Sequence, residues 1–312
     1  MTKKIATRET YGEFLVKLGK NDENIVVLDA DLSKSTKTHG FSKEFPNRFF
    51  NMGIAEQNLM GTAAGLAACG KVPFASTFAV FAAGRAFEII RNSICYPKLN
   101  VKVCATHAGI TVGEDGASHQ AIEDLALMRS LPNMTVINPA DAVSAEALLN
   151  EAAKYNGPVY VRLGRAKVSV LYNESDEKFE IGKGIELKEG SDITIIATGI
   201  MVEVALKASE ELSKEGISAR VIDIHTIKPI DKDIIVKAAK ETKGIVTAEE
   251  HNIIGGLGSA VAEVLVENHP AILKRVGIND TFGESGKPDE LMQKYGLTSQ
   301  NIISKVKEIL AK

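Results

Sequence analysis

Residues Asn51–Gly61 read N-M-G-I-A-E-Q-N-L-M-G and open a stretch of small and apolar residues that ends at Gly70. Glu56 is the only charged residue between Phe49 and Gly70, so its carboxylate enters a predicted helix without a counterion in the local sequence. Desolvation of this kind favours the protonated form and raises the pKa of a carboxyl group. Two interpretations stay open: a perturbed carboxyl group at a functional site, or a Glu that suits the dipole of a buried helix.

Short β-rich runs alternate with helical stretches on both sides of this segment, which is typical of an α/β protein with mainly parallel sheets. In the first half, the pattern predicts strands at 25–29, 48–52, 72–77, 101–107, 135–139 and 158–163, and helices at 8–20, 56–69, 80–94, 121–130 and 141–154. In the second half, it predicts strands at 192–199, 219–224 and 244–249, helices at 201–214 and 232–240, and a terminal helix that Thr298 or Ser299 caps.

The chain of 312 residues exceeds the usual size of one hydrophobic core, so two domains are expected. Between 166 and 191 the composition shifts to Asp, Glu, Lys and Gly, as in an interdomain linker. We therefore predict a first domain at 1–165, a linker at 166–190 and a second domain at 191–312. Turns are expected at Lys228-Pro229 and at the G-G-L-G of 255–258.

The composition favours an ordinary cytoplasmic globular protein. Hydrophobic residues make up 45% and the net charge is −3, which gives no reason to expect a nucleic acid or an anionic membrane as partner. The amino terminus lacks the apolar core of a signal peptide, and no apolar run reaches the length of a membrane span. Cys69, Cys95 and Cys104 lack the paired spacing of a zinc site, so we expect buried free thiols.

Three loops carry residues suited to chemistry. Residues 30–35, A-D-L-S-K-S, follow a predicted strand, where open α/β sheets usually bind ligands; a solvated turn is the alternative. Residues 106–120 place His107, Asp115 and His119 on one Gly-rich loop, which could hold hydroxyls and phosphates or move protons. A metal site there is less favoured because the long spacing and the glycines fix no rigid ligand set, and a structural loop is the third alternative.

The third loop, S-T-F-A-V-F-A-A-G-R at 76–85, brings Phe78 and Phe81 to the junction of a strand and a helix. Their rings could stack on a planar heterocycle, or simply belong to the core. Arginines near strand ends and helix starts, such as Arg8 and Arg165, suit oxyanions, although most arginines face solvent or form ion pairs. The Rossmann, Walker, G-x-S-x-G and C-x-x-C signatures are absent, so nucleotide-dependent and serine-hydrolase functions lack support.

Taken together, the motifs resemble a known family. The segments A-T-R, A-D-L-S, G-I-A-E-Q, S-T-F-A-V-F, A-T-H-A-G-I-T-V-G-E-D-G-A-S-H-Q and E-E-H-N-I-I-G-G-L-G are similar, in that order, to the carboxyl-terminal half of transketolase. The resemblance covers essentially the whole chain. It implies a pyrimidine-binding domain followed by a transketolase C-terminal domain, with thiamin diphosphate as cofactor.

The resemblance also implies roles for individual residues. Glu56 matches the glutamate that hydrogen-bonds the aminopyrimidine ring and drives its imino tautomer, and the catalytic set would be Glu56, His107 and His119. Asp31, Phe78 and Phe81 match cofactor-binding positions, with Phe81 preferred for stacking. The positions that match the sugar-phosphate site are Arg8, Ser35, His107 and Arg165, and those that match the site for substrate hydroxyls are Asp115 and His119.

One feature departs from the full-length family. The chain has no G-D-G followed by the Asn that would help hold magnesium and diphosphate. The resemblance therefore implies a split transketolase, in which a separate amino-terminal subunit carries Mg²⁺ or Ca²⁺ and shares thiamin diphosphate with this chain, two copies of each forming a heterotetramer. Its reaction would be ketol transfer in the pentose phosphate pathway. Deoxyxylulose-phosphate synthase, the β subunit of 2-oxo acid dehydrogenases and a catalytically silent assembly subunit are the alternatives.

Overall fold

Two mainly parallel sheets form the framework of the protein, whose computed structural model describes residues 3–173 and 179–311. The strands are β1 (Lys4–Ile5), β2 (Ile25–Asp29), β3 (Phe49–Asn51), β4 (Val72–Phe78), β5 (Lys102–Thr106), β6 (Thr135–Ile137), β7 (Val159–Arg162), β8 (Val168–Ser169), β9 (Ile185–Lys188), β10 (Ile193–Ala197), β11 (Ala219–Asp223), β12 (Thr226–Lys228), β13 (Ile245–Asn252) and β14 (Leu273–Ile278). The α-helices are α1 (Thr7–Asn21), α2 (Ser33–Thr36), α3 (His39–Glu44), α4 (Glu56–Ala68), α5 (Phe87–Ile89), α6 (Asp124–Ser130), α7 (Ala142–Lys154), α8 (Met201–Lys214), α9 (Lys232–Glu241), α10 (Leu257–Asn268), α11 (Pro288–Lys294) and α12 (Ser299–Leu310).

Each large sheet consists of parallel strands and one antiparallel edge strand. The first has seven strands in the order β12-β6-β7-β5-β4-β2-β3, with β12 antiparallel to β6. The second has five in the order β14-β13-β10-β11-β9, with β9 antiparallel to β11. A small antiparallel pair joins β1 to β8. The predicted α/β fold class with mainly parallel sheets is confirmed.

Helices cover both faces of the sheets because apolar residues fill consecutive positions of the central strands. Val27 of β2 and Ile195 of β10 belong to one buried apolar cluster. Their neighbours Leu28 and Ile196 belong to the other. Since successive side chains of a strand point to opposite faces, each sheet needs two apolar layers, as parallel sheets generally do.

The structure adds elements that the sequence pattern did not predict. The polar loop after β2 contains the short helices α2 and α3, and the predicted helix at 80–94 is a π-helix (Phe81–Arg85), α5 and a second π-helix (Ile90–Cys95). The Gly-rich loop contains a 3₁₀ segment, Ile110–Asp115, and the C-terminal half gains α10, β14 and α11. The G-G-L-G sequence is a turn only in its first two residues, because α10 begins at Leu257. Thr298 is the cap of α12, since its hydroxyl accepts a hydrogen bond from Asn301 N at 3.2 Å.

The segment predicted as a linker takes part in both halves. Its residues 168–169 form β8, which pairs with β1, and its residues 185–188 form β9 at the edge of the second sheet. Farther along, Thr226 and Lys228 of β12 pair with β6 of the first sheet. Residues 174–178 of the predicted linker lie outside the described residues. The domain boundaries remain a prediction.

A buried polar network joins the two sheets. At the end of β7, Arg162 donates to both carboxylate oxygens of Asp124, at 2.8 and 3.1 Å, and to the backbone carbonyl of Glu250 in β13 at 3.0 Å. The Glu250 carboxylate accepts from Thr111 N at 2.7 Å. It lies so close to Gly109, whose φ is +79°, that a Cβ atom there would meet it at 2.2 Å, so this position requires glycine.

Candidate active site

Most of the candidate residues lie along one edge of the seven-stranded sheet. Phe78 ends β4, His107 follows β5, and Glu56 begins the helix that comes soon after β3. Asp31 follows β2, and Arg165 follows β7. Because these five strands are parallel neighbours, their carboxyl ends meet at the same edge, which is where open α/β sheets bind ligands.

Glu56 is buried at the amino terminus of α4, with 2% of its side chain exposed. Nη1 of Arg85, which is half-exposed, donates to both of its carboxylate oxygens, at 3.0 and 2.9 Å. This ion pair offsets the desolvation of a buried carboxylate. Local sequence contains no such counterion, and the structure supplies it from 29 residues farther along the chain.

A row of rings leads away from this ion pair. The Arg85 guanidinium lies 4.7 Å from the centroid of the Phe81 ring. The Phe81 ring is nearly parallel to that of Phe78, with 6.0 Å between centroids, and Phe78 stacks on the imidazole of His107 at 3.8 Å. His119 places its ring edge-on to Phe81 at 5.5 Å. Phe78 is buried and covered by His107, whereas Phe81 is only partly buried, so Phe81 offers the more accessible ring.

His107 ends the row in a strained and strongly cationic setting. Its φ is +58°, a left-handed conformation that is uncommon for residues other than glycine and that clusters at active sites. Burial lowers the pKa of His107 to about 3, and the nearby charges of Arg8 and Arg165 act in the same direction. The imidazole is therefore neutral at physiological pH. Since Arg8 Nη1 donates to Nε2 at 3.2 Å, the ring proton lies on Nδ1, which faces the Thr106 hydroxyl at 2.9 Å.

Arg8 and Arg165 bring positive charge to this end of the site. Arg8 also donates to the backbone carbonyl of Ser35 at 2.8 Å, so Ser35 contributes its main chain to this contact. Burial and the charge of Arg165 lower the pKa of Arg8. Its Nε is buried and has no hydrogen-bond partner among the described residues. Arg165 donates to Val112 O and, at 3.1 Å, to the exposed carboxylate of Glu114.

The structure does not join Asp31 or Asp115 to this row. Asp31 is exposed, with φ of +63°, and its carboxylate accepts from the side-chain amide of Asn51 at 2.8 Å. Asp115 is exposed on the 3₁₀ segment. In the part of the chain that the structure describes, neither carboxylate hydrogen-bonds another candidate residue. Their predicted contacts with cofactor and substrate remain predictions.

Three residues that shape the site could not be identified from the sequence. Arg85 falls within the helix predicted at 80–94, which gives no sign of a partner, but it pairs with Glu56. Asp29, buried at the end of β2, accepts from Leu32 N and Thr36 Oγ1 at 2.6 Å and thereby holds the loop that carries Ser35, while burial raises its pKa. Lys37 adds to the positive charge that acts on His107. The polar sequence of this loop signals hydrogen bonding but does not identify the partners.

One further expectation concerns the thiols. Cys95 and Cys104 are buried as predicted, but Cys69 is exposed and that prediction was wrong. Helix α4 buries Leu59, Met60 and Ala63 on one side, so small residues on its other side need not be covered. His251 lies at the joint between the halves, where its Nε2 accepts from Ala126 N at 3.4 Å.

Within residues 3–173 and 179–311, no group of three or more His, Cys, Asp and Glu side chains is arranged to hold a metal ion. None of the helices in that part of the chain combines the length and apolarity required to cross a membrane.

Comparison with known families defines the class of protein. Residues 3–170 match the family described as "Transketolase, pyrimidine binding domain", and residues 182–302 match "Transketolase, C-terminal domain". The buried Glu56 and the aromatic row at its side fall within the first match. The two matches define a pair of domains from a family of transferase enzymes whose members use thiamin diphosphate.

The closely similar proteins agree with this class. The chain is 57% identical over 307 residues to a Methanocaldococcus jannaschii protein provisionally named a transketolase C-terminal section, with 98% of this chain and 96% of that protein covered. It is 40% identical to human transketolase over 99% of its own length and 50% of the human chain. A solved structure described as "Split gene transketolase, inactive beta4 tetramer" superposes with a TM-score of 0.92 at 62% identity, covering 98% of this chain and 99% of that one.

This protein belongs to the transketolase family. The resemblance predicted from the ordered motifs is therefore confirmed. The chain corresponds to the carboxyl-terminal half of the family's full-length members, since it spans about half of human transketolase and contains the pyrimidine-binding and C-terminal domains.

Proposed function

We propose that this chain is the C-terminal subunit of a split, thiamin-diphosphate-dependent transketolase that transfers a two-carbon ketol unit between sugar phosphates. The observation that carries the proposal is the buried carboxylate of Glu56 beside the accessible ring of Phe81, at the carboxyl edge of the sheet. The rivals, deoxyxylulose-phosphate synthase and the 2-oxo acid dehydrogenase β subunit, receive less support, because both domain matches are to transketolase.

The residues of this chain fit the aminopyrimidine part of thiamin diphosphate. Glu56 can share a proton with a ring nitrogen, and Phe81, backed by Phe78, can stack on the ring. When bound, thiamin diphosphate supplies the nucleophilic carbon that carries the two-carbon unit. The described residues offer no metal-binding group for the diphosphate, so we assign Mg²⁺ or Ca²⁺ and the diphosphate to a separate N-terminal subunit.

The cationic end of the row suits the phosphate of a sugar substrate. Arg8 has a free buried Nε, and Arg165 adds a second guanidinium, so both can clamp a dianion. His107 is neutral and keeps its proton on Nδ1, so its Nε2 is an acceptor that takes a hydrogen bond from a substrate hydroxyl when Arg8 turns to the phosphate. His119, beside Phe81, and Asp115 would bind the remaining hydroxyls.

A heterotetramer with two copies of each subunit is the assembly we propose. The similarity to a split-gene transketolase supports a separate partner, and that structure's description as an inactive beta4 tetramer is consistent with a subunit that needs its partner for activity. Ketol transfer between sugar phosphates would place the enzyme in the pentose phosphate pathway, in the cytoplasm. The opposing hypothesis is a catalytically silent assembly subunit.

The test is ketol transfer from xylulose 5-phosphate to ribose 5-phosphate with thiamin diphosphate and Mg²⁺. We expect activity from this chain mixed with a candidate N-terminal subunit, and none from either chain alone. Glu56→Gln should lower kcat of the mixture by roughly 100-fold or more, the usual size of a general acid-base contribution. The control is Glu44→Gln, an exposed residue of α3. Unchanged transfer by the Glu56→Gln mixture would refute the site. Complex formation without transfer would favour the deoxyxylulose-phosphate synthase or 2-oxo acid dehydrogenase alternatives, and the absence of a complex would favour the silent subunit.

A further inference from the structure

The guanidinium of Arg85 occupies an unusual position between Glu56 and Phe81. Its Nη1 lies 2.9 and 3.0 Å from the carboxylate oxygens of Glu56, and its central carbon lies 4.7 Å from the Phe81 ring centroid. A guanidinium is planar and delocalised, and it donates N–H groups to a carboxylate while its face attracts an aromatic ring. An aminopyrimidine that is protonated at its ring nitrogen offers the same combination of a flat face and an N–H donor at its edge.

We propose that Arg85 is a positioning residue that acts as a resident substitute for the aminopyrimidine ring. It holds the Glu56 carboxylate and covers the Phe81 ring until the cofactor enters, and it then leaves. This inference rests on the proposed function, because it takes Glu56 and Phe81 as the cofactor-binding pair. It predicts that Arg85 competes with the cofactor, in contrast to an arginine that binds it.

The local backbone leaves room for such a departure. Arg85 ends the π-helix Phe81–Arg85, which Ala86 closes by donating from its backbone N to Phe81 O at 3.2 Å. π-helical turns are rare and concentrate at functional sites. A Cβ atom at the preceding Gly84 would meet nothing within 4 Å, and half of the Arg85 side chain is exposed, so the space beside it is open.

Competition between Arg85 and the cofactor predicts the direction in which removal of Arg85 changes the Kd for the cofactor. Glu56 is available only in the fraction of molecules whose ion pair is open, and the apparent affinity for the cofactor falls by that fraction. A half-exposed ion pair contributes at most about 1 kcal/mol, which corresponds to about five-fold in binding. Arg85→Met should therefore lower the Kd of the assembled enzyme for thiamin diphosphate by up to about five-fold, whereas an arginine that binds the cofactor would raise it on removal.

Isothermal titration of thiamin diphosphate, with Mg²⁺, into the assembled enzyme measures this effect. Arg85→Lys keeps the charge, so it should restore much of the wild-type Kd. Arg91→Met is the matched control, because Arg91 is exposed on the same segment and donates to Asn92. An Arg85→Met Kd that is unchanged or higher overturns the inference.

Thermal unfolding of the chain alone gives an independent readout. Arg85→Met should lower the midpoint by about 1–2 °C, because it leaves the buried Glu56 carboxylate unpaired, and in a Glu56→Gln background the same change should have little effect. Equal effects in both backgrounds would contradict the ion pair. If the wild-type assembly binds no thiamin diphosphate, the proposed function fails. The inference is then decided by 4-aminopyrimidine binding to the chain alone: tighter binding by Arg85→Met supports it, and equal or weaker binding overturns it.

Discussion

Replacement of Asp124 by Asn keeps the shape of the side chain but removes its charge, and it should destabilise the protein strongly. Asp124 and Arg162 are 1% and 4% exposed, and two hydrogen bonds join them. The Asp124 carboxylate also accepts from the hydroxyl of Tyr160 at 2.8 Å. In the variant, Arg162 keeps its carbonyl acceptors but loses its counterion. Breaking a buried pair in this way costs about 3–5 kcal/mol, a large share of the roughly 5–15 kcal/mol that stabilises a typical protein. We expect a loss near 3 kcal/mol, because the amide oxygen can still accept from Tyr160.

Urea unfolding of the chain, followed by far-UV circular dichroism at pH 7, measures this loss. The matched control is Lys17→Met, which breaks an exposed pair with Glu146 at 2.8 Å and should cost less than about 1 kcal/mol. Burial alone would raise the pKa of Asp124, but the Arg162 charge outweighs it and lowers that pKa. The stabilisation is therefore complete above the unfolded pKa, near 4, and is lost as the pH falls through the lower folded value. A loss below about 1 kcal/mol at pH 7 would refute this reasoning.

Two further predictions concern buried acidic groups. A thiol reagent should label one cysteine per native chain, Cys69, and three after denaturation, because burial raises the pKa of Cys95 to about 11 and that of Cys104 to about 12; native labelling of Cys104 would contradict this. Burial also raises the pKa of Asp223 to about 7. Between about pH 4 and pH 7, the folded state therefore holds a proton that the unfolded state has lost. The contribution of Asp223 to stability falls as the pH rises through this range. In urea unfolding, the free energy of unfolding of Asp223→Asn relative to wild type should therefore rise by up to a few kcal/mol between pH 5 and pH 8. The exposed control Asp280→Asn should show no such rise. An equal difference from wild type at both pH values would exclude the effect.

Much of the site could be predicted because it depends on the order of strands. Phe78 and His107 follow strands that a run of apolar residues marks clearly, and parallel strands place such residues at one edge. Glu56 was recognisable from its isolation among uncharged residues. These signals are local, and the fold preserves them.

The contacts that tune the site depend on geometry that residue spacing does not carry. A regular helix was predicted at 80–94, but the π-helical turn changes which residues share a side, and Arg85 reaches Glu56 from there. His107 has a left-handed backbone conformation. It contacts Arg8, which lies 99 positions away in the sequence. Cys69 illustrates the opposite error, since apolar composition was taken as burial although one side of α4 faces outward.

Strand β12 connects the two halves of the chain. Although it follows β11 of the second sheet in the chain, it completes the edge of the first sheet by pairing with β6. A gene division or recombination point placed between 166 and 190 would give an amino-terminal product whose β6 edge lacks its partner, and unpaired edges recruit other chains and aggregate. The shared strand therefore favours keeping the two domains on one polypeptide.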